Sequence, residues 1–116
     1  MIVGIGTDLV VIERFQAMLG RRQGLAERLL TDGERALSVE SQAARFAAKE
    51  ALAKALGSPG GMRWLDCEVV KTDLGVPSFR TYGSVAARID ALGIEFIHLS
   101  LSHDGGFATA MVVCER

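Results

Sequence analysis

Apolar and polar positions recur along this chain with periods that change at clear breaks, and each segment predicts an element. Residues 2–12 (Ile-Val-Gly-Ile-Gly-Thr-Asp-Leu-Val-Val-Ile) are a β-branched apolar run, which predicts a buried strand. From Glu13 to about Leu19, Phe15, Met18 and Leu19 make a narrow apolar stripe, so a short helix follows. Gly24 interrupts it, and Leu25 to Leu30 supplies another helical turn or two. Thr31 and Glu34 have capping-box spacing and start a short helix to about Leu37. The firmest helix runs from about Ser41 to Leu56. Its centre, Arg45 to Lys54, holds no Gly, Pro or β-branched residue. Ser41 offers an N-cap, and Gly57 stands where a left-handed C-cap residue belongs. Residues 57–61 (Gly-Ser-Pro-Gly-Gly) are the strongest break, read as a connecting loop or one whose amides approach an anion.

The second half has a different rhythm. Leu65–Thr72 and Val76–Tyr82 predict two strands around Asp73-Leu74-Gly75, with Pro77 pushing the second toward an edge. Ser84 can cap a helix to about Leu92, whose Val85, Ile89 and Leu92 share a face, and Gly93 ends it. Residues 96–113 predict a hairpin around Asp104-Gly105-Gly106. Alternation puts His98, Ser100 and Ser102 on one face and Leu99, Leu101 and His103 on the other. The two histidines therefore point apart, which argues against a paired histidine metal site. His98 reads as a surface or packed residue, and His103, at a strand end beside a glycine turn, has a more usual working position.

Some positions break the pattern. Asp8 is a carboxylate in an apolar strand, costing several kcal/mol unless it is hydrogen-bonded, caps a helix, or meets a cation. Gly4 and Gly6 weaken a strand and often mark close approach of a backbone or ligand. Glu50 and Lys54 lie one helical turn apart, with Phe46 beside them. They are either a solvated pair worth about 0.2–0.5 kcal/mol, or a carboxylate for a metal and an ammonium for a phosphate.

Composition narrows the class. The 116 residues support one domain over 1–116, and 49% hydrophobic residues describe an apolar globule that could bury surface against copies of itself. With 13 basic and 14 acidic residues, the net charge of −1 gives no hint of nucleic acid. Arg14, Arg21, Arg22 and Arg28 nevertheless crowd the first quarter, either as a solvated face or as a docking surface for an acidic partner. Cys67 and Cys114 match no metal or redox spacing and read as small apolar residues of a reduced, cytoplasmic protein. The N-terminus, interrupted by Asp8 and without a basic flank, does not read as a signal peptide. No apolar run nears the ~20 residues of a membrane span.

Three motifs in order now stand together: Gly4-Ile5-Gly6-Thr7-Asp8, the helix from Arg45 through Lys49-Glu50 and Lys54 to Gly57, and Leu101-Ser102-His103-Asp104. With them the chain resembles the holo-acyl-carrier-protein synthases, the small class of 4′-phosphopantetheinyl transferases, from Met1 to about Val113. The resemblance implies an α+β fold, a few helices packed on an antiparallel-rich sheet. It implies Mg²⁺-dependent transfer of phosphopantetheine from coenzyme A to a serine of an apo acyl carrier protein, or of a carrier domain in a larger synthase. Adenosine 3′,5′-bisphosphate would be the other product.

By the same resemblance Asp8 and Glu50 hold Mg²⁺, which keeps several waters and needs only one or two carboxylates. Lys54 faces a phosphate oxygen, Arg45 the 3′-phosphate, and Gly75, Pro77, Ser102 and His103 line the coenzyme pocket. The serine's base would be Glu50, alone or with a metal-held water, with His103 as the rival. Acidic carriers make Arg14, Arg21 and Arg22 docking candidates, with Arg28 a weaker one. The family also implies homotrimers with active sites between subunits. Two departures stand out: many relatives have Gly-Lys-Pro where this chain has Gly75-Val76-Pro77, leaving Arg80 or Lys71 to replace that lysine, and Val10 stands where longer transferases carry a further acid. Two other classes compete: a non-catalytic module docking acidic proteins, and another Mg²⁺-dependent nucleotide phosphotransferase. The missing phosphate-loop motif counts against the latter.

Overall fold

The computed structural model describes residues 1–116. Strand β1 (Ile2–Val11) leads directly into helix α1 (Ile12–Arg21), followed by the short helices α2 (Leu25–Leu29) and α3 (Asp32–Arg35). The long helix α4 (Val39–Ala55) comes next, then a 3₁₀ turn (Trp64–Asp66), strands β2 (Cys67–Lys71) and β3 (Pro77–Thr81), and helix α5 (Gly83–Ala91). Strands β4 (Phe96–Asp104) and β5 (Phe107–Glu115) close the chain. The α+β architecture comprises a three-stranded antiparallel sheet in the order β1-β5-β4 and a two-stranded β2-β3 ribbon.

Helix α4 lies across one face of the larger sheet, and small residues let it do so. A Cβ on Gly4 would stand 1.9 Å from the Ala55 carbonyl oxygen, and one on Gly6 1.8 Å from that of Ala51. The close approach expected at these glycines is therefore that of a backbone. All the alanines of α4 except Ala53, and Ala108, Ala110, Val112 and Cys114 of β5, are buried in the same core. The β4–β5 turn is Gly105-Gly106, both at positive φ, as a two-residue hairpin requires. Its Gly106 carbonyl accepts from Ile12 N at 3.0 Å, tying the start of α1 to the hairpin.

Several boundaries differ from the sequence reading. Ser38, not Ser41, caps α4: its hydroxyl accepts from Ser41 N at 3.2 Å, and the helix begins at Val39. The C-terminus follows expectation, with Gly57 at φ 84° and Ser58 N bonded to Ala53 O at 2.7 Å. Ser84 does not cap α5 either. The Asp66 carboxylate, from the 3₁₀ turn, accepts both the Ser84 N–H at 2.8 Å and its hydroxyl at 2.6 Å, so the cap comes from outside the helix. Nor is β1 buried on both faces: Ile5 and Leu9 are exposed on the side away from α4. No helix is long and apolar enough to cross a membrane.

Candidate active site

Antiparallel pairing sets Asp8 opposite Ala110, on the sheet face that carries Gly6 and Val10 and meets α4. There its Oδ1 lies 3.2 Å from Lys54 Nζ, which also donates to Thr7 O at 2.9 Å. Lys54 thus reaches across to β1 and makes no ion pair with Glu50, so the solvated helix pair of the sequence reading is not formed. Glu50 is half-buried and belongs to none of the chain's ion pairs. Its carboxyl is held above the usual range by desolvation first and by the negative charge of Asp8 second, with Lys54 opposing.

Asp8, Glu50, Lys54, Arg14 and Phe46 all line one groove of about 390 Å³. Lys54 is engaged by Asp8 and Glu50 has no cationic partner, so this carboxylate is left open to one, and an oxygen-only donor set suits a hard cation such as Mg²⁺. The chain has no cluster of three or more His, Cys, Asp or Glu side chains, so a cation here would draw its remaining ligands from water or substrate.

The other polar candidates gather elsewhere. Arg45, Ser102 and His103 line a second cleft of about 270 Å³ with Ser41 and Lys71. Arg45 is only 6% exposed, yet its Nε has no hydrogen-bond partner and its Nη1 makes a single long bond, 3.3 Å to Ser41 O. A buried guanidinium left so short of acceptors is suited to an anion. Burial holds its pKa below the ordinary value, opposed by the charge of Glu34. A third groove, of about 430 Å³, shares Val11 with the first cleft and His103 with the second.

Gly75 and Pro77 line none of these clefts: Gly75 sits exposed at the β2–β3 turn and Pro77 opens β3. Arg21 and Arg22 are exposed at the end of α1, away from the grooves. His98 is on the outer sheet face, 2.5 Å from Glu115, and touches no cleft. Lys71, one of the two residues named to replace the lysine absent at Val76, lines the second cleft and Arg80 lines none of these clefts, whereas Ser41 and a buried Glu34–Lys49 pair were not singled out as site groups. Lys49 on an alanine-rich helix, one turn from Arg45, was the available signal.

The model of the 4′-phosphopantetheinyl transferase superfamily matches residues 4–112. A holo-[acyl-carrier-protein] synthase of Beutenbergia cavernae is 55% identical over 116 residues, covering 100% of both chains. The crystal structure of the Neisseria meningitidis holo-[acyl-carrier-protein] synthase superposes with a TM-score of 0.90 at 34% identity, again over 100% of each chain. That of Helicobacter pylori, in complex with coenzyme A, gives 0.84 at 33% identity over 96% of this chain and 99% of the other. Sequence and fold agree along the whole length: the chain belongs to the 4′-phosphopantetheinyl transferase superfamily, among the holo-[acyl-carrier-protein] synthases.

Proposed function

We propose that residues 1–116 act as one transferase domain that moves the 4′-phosphopantetheine arm of coenzyme A onto a serine hydroxyl of an apo acyl carrier protein. The observation that carries this reading is the pairing of an acid–ammonium groove at Asp8, Glu50 and Lys54 with a cleft around the unpaired Arg45. Coenzyme A has a pyrophosphate and a 3′-phosphate, and these two places suit them. The Helicobacter pylori relative holds that same coenzyme.

In the reaction the serine oxygen forms a bond to the pantetheine-side phosphorus. The bridging P–O bond breaks, and its electron pair leaves with adenosine 3′,5′-bisphosphate. Asp8 and Glu50 would hold Mg²⁺, whose charge offsets that of the pyrophosphate when it is bound. Lys54, half-exposed beside Asp8, turns its ammonium to a pyrophosphate oxygen. Glu50, which no cation of the chain pairs with, takes the serine proton. Arg45 grips the 3′-phosphate with Lys71, and His103 donates to the same end. Arg14, inside the catalytic groove, and Arg21 and Arg22 farther along α1 meet an acidic carrier.

The assembly belongs to the proposal too. Ile5, Leu9, Phe107 and Met111 are exposed on the outer sheet face, an apolar patch that suits a homotrimer. Trimerisation would bring the first groove of one subunit to the Arg45 cleft of its neighbour. A cytoplasmic setting fits the two free cysteines, both buried, with the Cys67 thiol pushed up to about 12 by desolvation.

Intact mass of an apo acyl carrier protein after incubation with this chain, coenzyme A and Mg²⁺ tests the reaction. A gain of one phosphopantetheine, lost on chelation, is expected. No gain together with no coenzyme binding overturns the reading, as does ATP hydrolysis in place of coenzyme A cleavage.

A further inference from the structure

Three charged side chains are buried in this chain: Glu34, Arg45 and Lys49. Arg45 and Lys49 stand four residues apart on one face of α4, and Glu34 comes from α3. One carboxylate therefore faces two desolvated cations, and the hydrogen bonds show which cation holds it. Lys49 Nζ donates to Glu34 Oε1 at 2.7 Å, to Leu29 O at 2.8 Å and to Trp64 O at 3.2 Å, so all three ammonium protons are used. Glu34 in turn accepts from Thr31 N on Oε1 and from Val69 N on Oε2, both at 2.9 Å. Arg45 is excluded. Its Nε stays unpartnered, and its side chain lines the cleft with Lys71, Ser102 and His103.

A guanidinium at this depth would ordinarily take the nearest carboxylate. We propose that Lys49 is a positioning residue: by occupying Glu34 it keeps the buried Arg45 guanidinium unpaired and available to an anion in the adjoining cleft. The charge of Glu34 also opposes the effect of burial on Arg45. Without Lys49 the Glu34 carboxylate would turn to Arg45, and the cleft would lose the charge that its ligand needs. The inference rests on reading that cleft as the seat of the coenzyme's 3′-phosphate.

The test compares coenzyme A with 3′-dephospho-coenzyme A by calorimetry in the intact protein, Lys49→Met, Glu34→Gln and the double variant, with thermal melts alongside. The readout is the ratio of the two dissociation constants, because structural damage weakens both ligands together and leaves that ratio unchanged. The intact protein prefers coenzyme A. Lys49→Met reduces the preference about tenfold, the scale of one charge-assisted contact. Glu34→Gln, and Lys49→Met combined with Glu34→Gln, keep it within about twofold of the intact protein, since no carboxylate remains to capture Arg45. An unchanged ratio in folded Lys49→Met, or an equal fall in the double variant, overturns the proposal while leaving the cleft's assignment in place. Absence of any preference in the intact protein overturns both. Should Lys49→Met not fold, Lys49→Gln stands in under the same criteria, and the double variant still decides.

Discussion

At the scale of single residues, Glu50 shows how function and stability oppose each other. Its carboxyl is half-buried, faces Asp8, and lies outside every ion pair, so the folded state holds its proton more tightly than the unfolded chain does. Unfolding then releases that proton, and stability falls as pH rises from the ordinary carboxylate value of about 4.3 through the raised native value. Glu50→Gln removes this penalty. In metal-free buffer at neutral pH the variant is expected to melt higher than the parent, with the gap closing below about pH 4. Mg²⁺ should raise the melting temperature of the parent and not of the variant, and transfer activity should fall by about 100-fold or more. A variant that melts lower at neutral pH would contradict the desolvated, unpaired carboxylate described here. Asp8 was legible in the sequence as a misfit, since a carboxylate in an apolar strand demands a partner. That Lys54 would serve Asp8 and not Glu50 was not legible, because helical spacing describes neighbours on one element and is silent on a strand crossing it.

At the scale of elements, the decisive contact is α4 on β1. An added methyl at Gly6 meets the Ala51 carbonyl at 1.8 Å, a backbone atom that no rotamer change can move aside. Gly6→Ala should therefore destabilise by roughly 1–3 kcal/mol or more, measured by urea denaturation, and should weaken Mg²⁺ binding through the displaced Glu50. Capping gives a second comparison. Ser38→Ala should cost about 1 kcal/mol, whereas Ser41→Ala leaves the helix start intact and changes stability by less than half as much. Both serines precede the alanine-rich run, and its pattern left the start of the helix ambiguous by one turn. The same ambiguity hid the Asp66 cap on α5, a long-range acceptor that no local motif announces. The hairpin itself was legible, because period-two alternation on either side of paired glycines marks one, although Asp104 belongs to β4 and pairs with Phe107, leaving a turn of two residues where three were expected.

At the scale of the whole molecule, the first strand was expected to be buried, yet its Leu9 is 64% exposed, and Met111 of the neighbouring β5 is 46% exposed. Hydrophobic patterning reports that a residue belongs out of water and says nothing about whose surface covers it. If copies of this chain cover that face, Leu9→Lys together with Met111→Lys should yield a monomer by light scattering and lose activity with the fold intact. The sharper consequence concerns the two clefts. Glu50 and Arg45 sit on one helix but open into different grooves, so if the proposed cyclic trimer forms, the Glu50 of one subunit would work with the Arg45 of the next. Glu50→Ala and Arg45→Ala subunits are each expected to be impaired alone. Refolded together at equal amounts, they should regain activity, because about a quarter of the interfaces then join an intact Glu50 to an intact Arg45. If each active site lay within one subunit, every site would carry one lesion or the other, and mixing would restore nothing. Measuring transfer at coenzyme concentrations well below saturation keeps the Arg45 defect visible, so recovery on mixing separates a shared site from a private one.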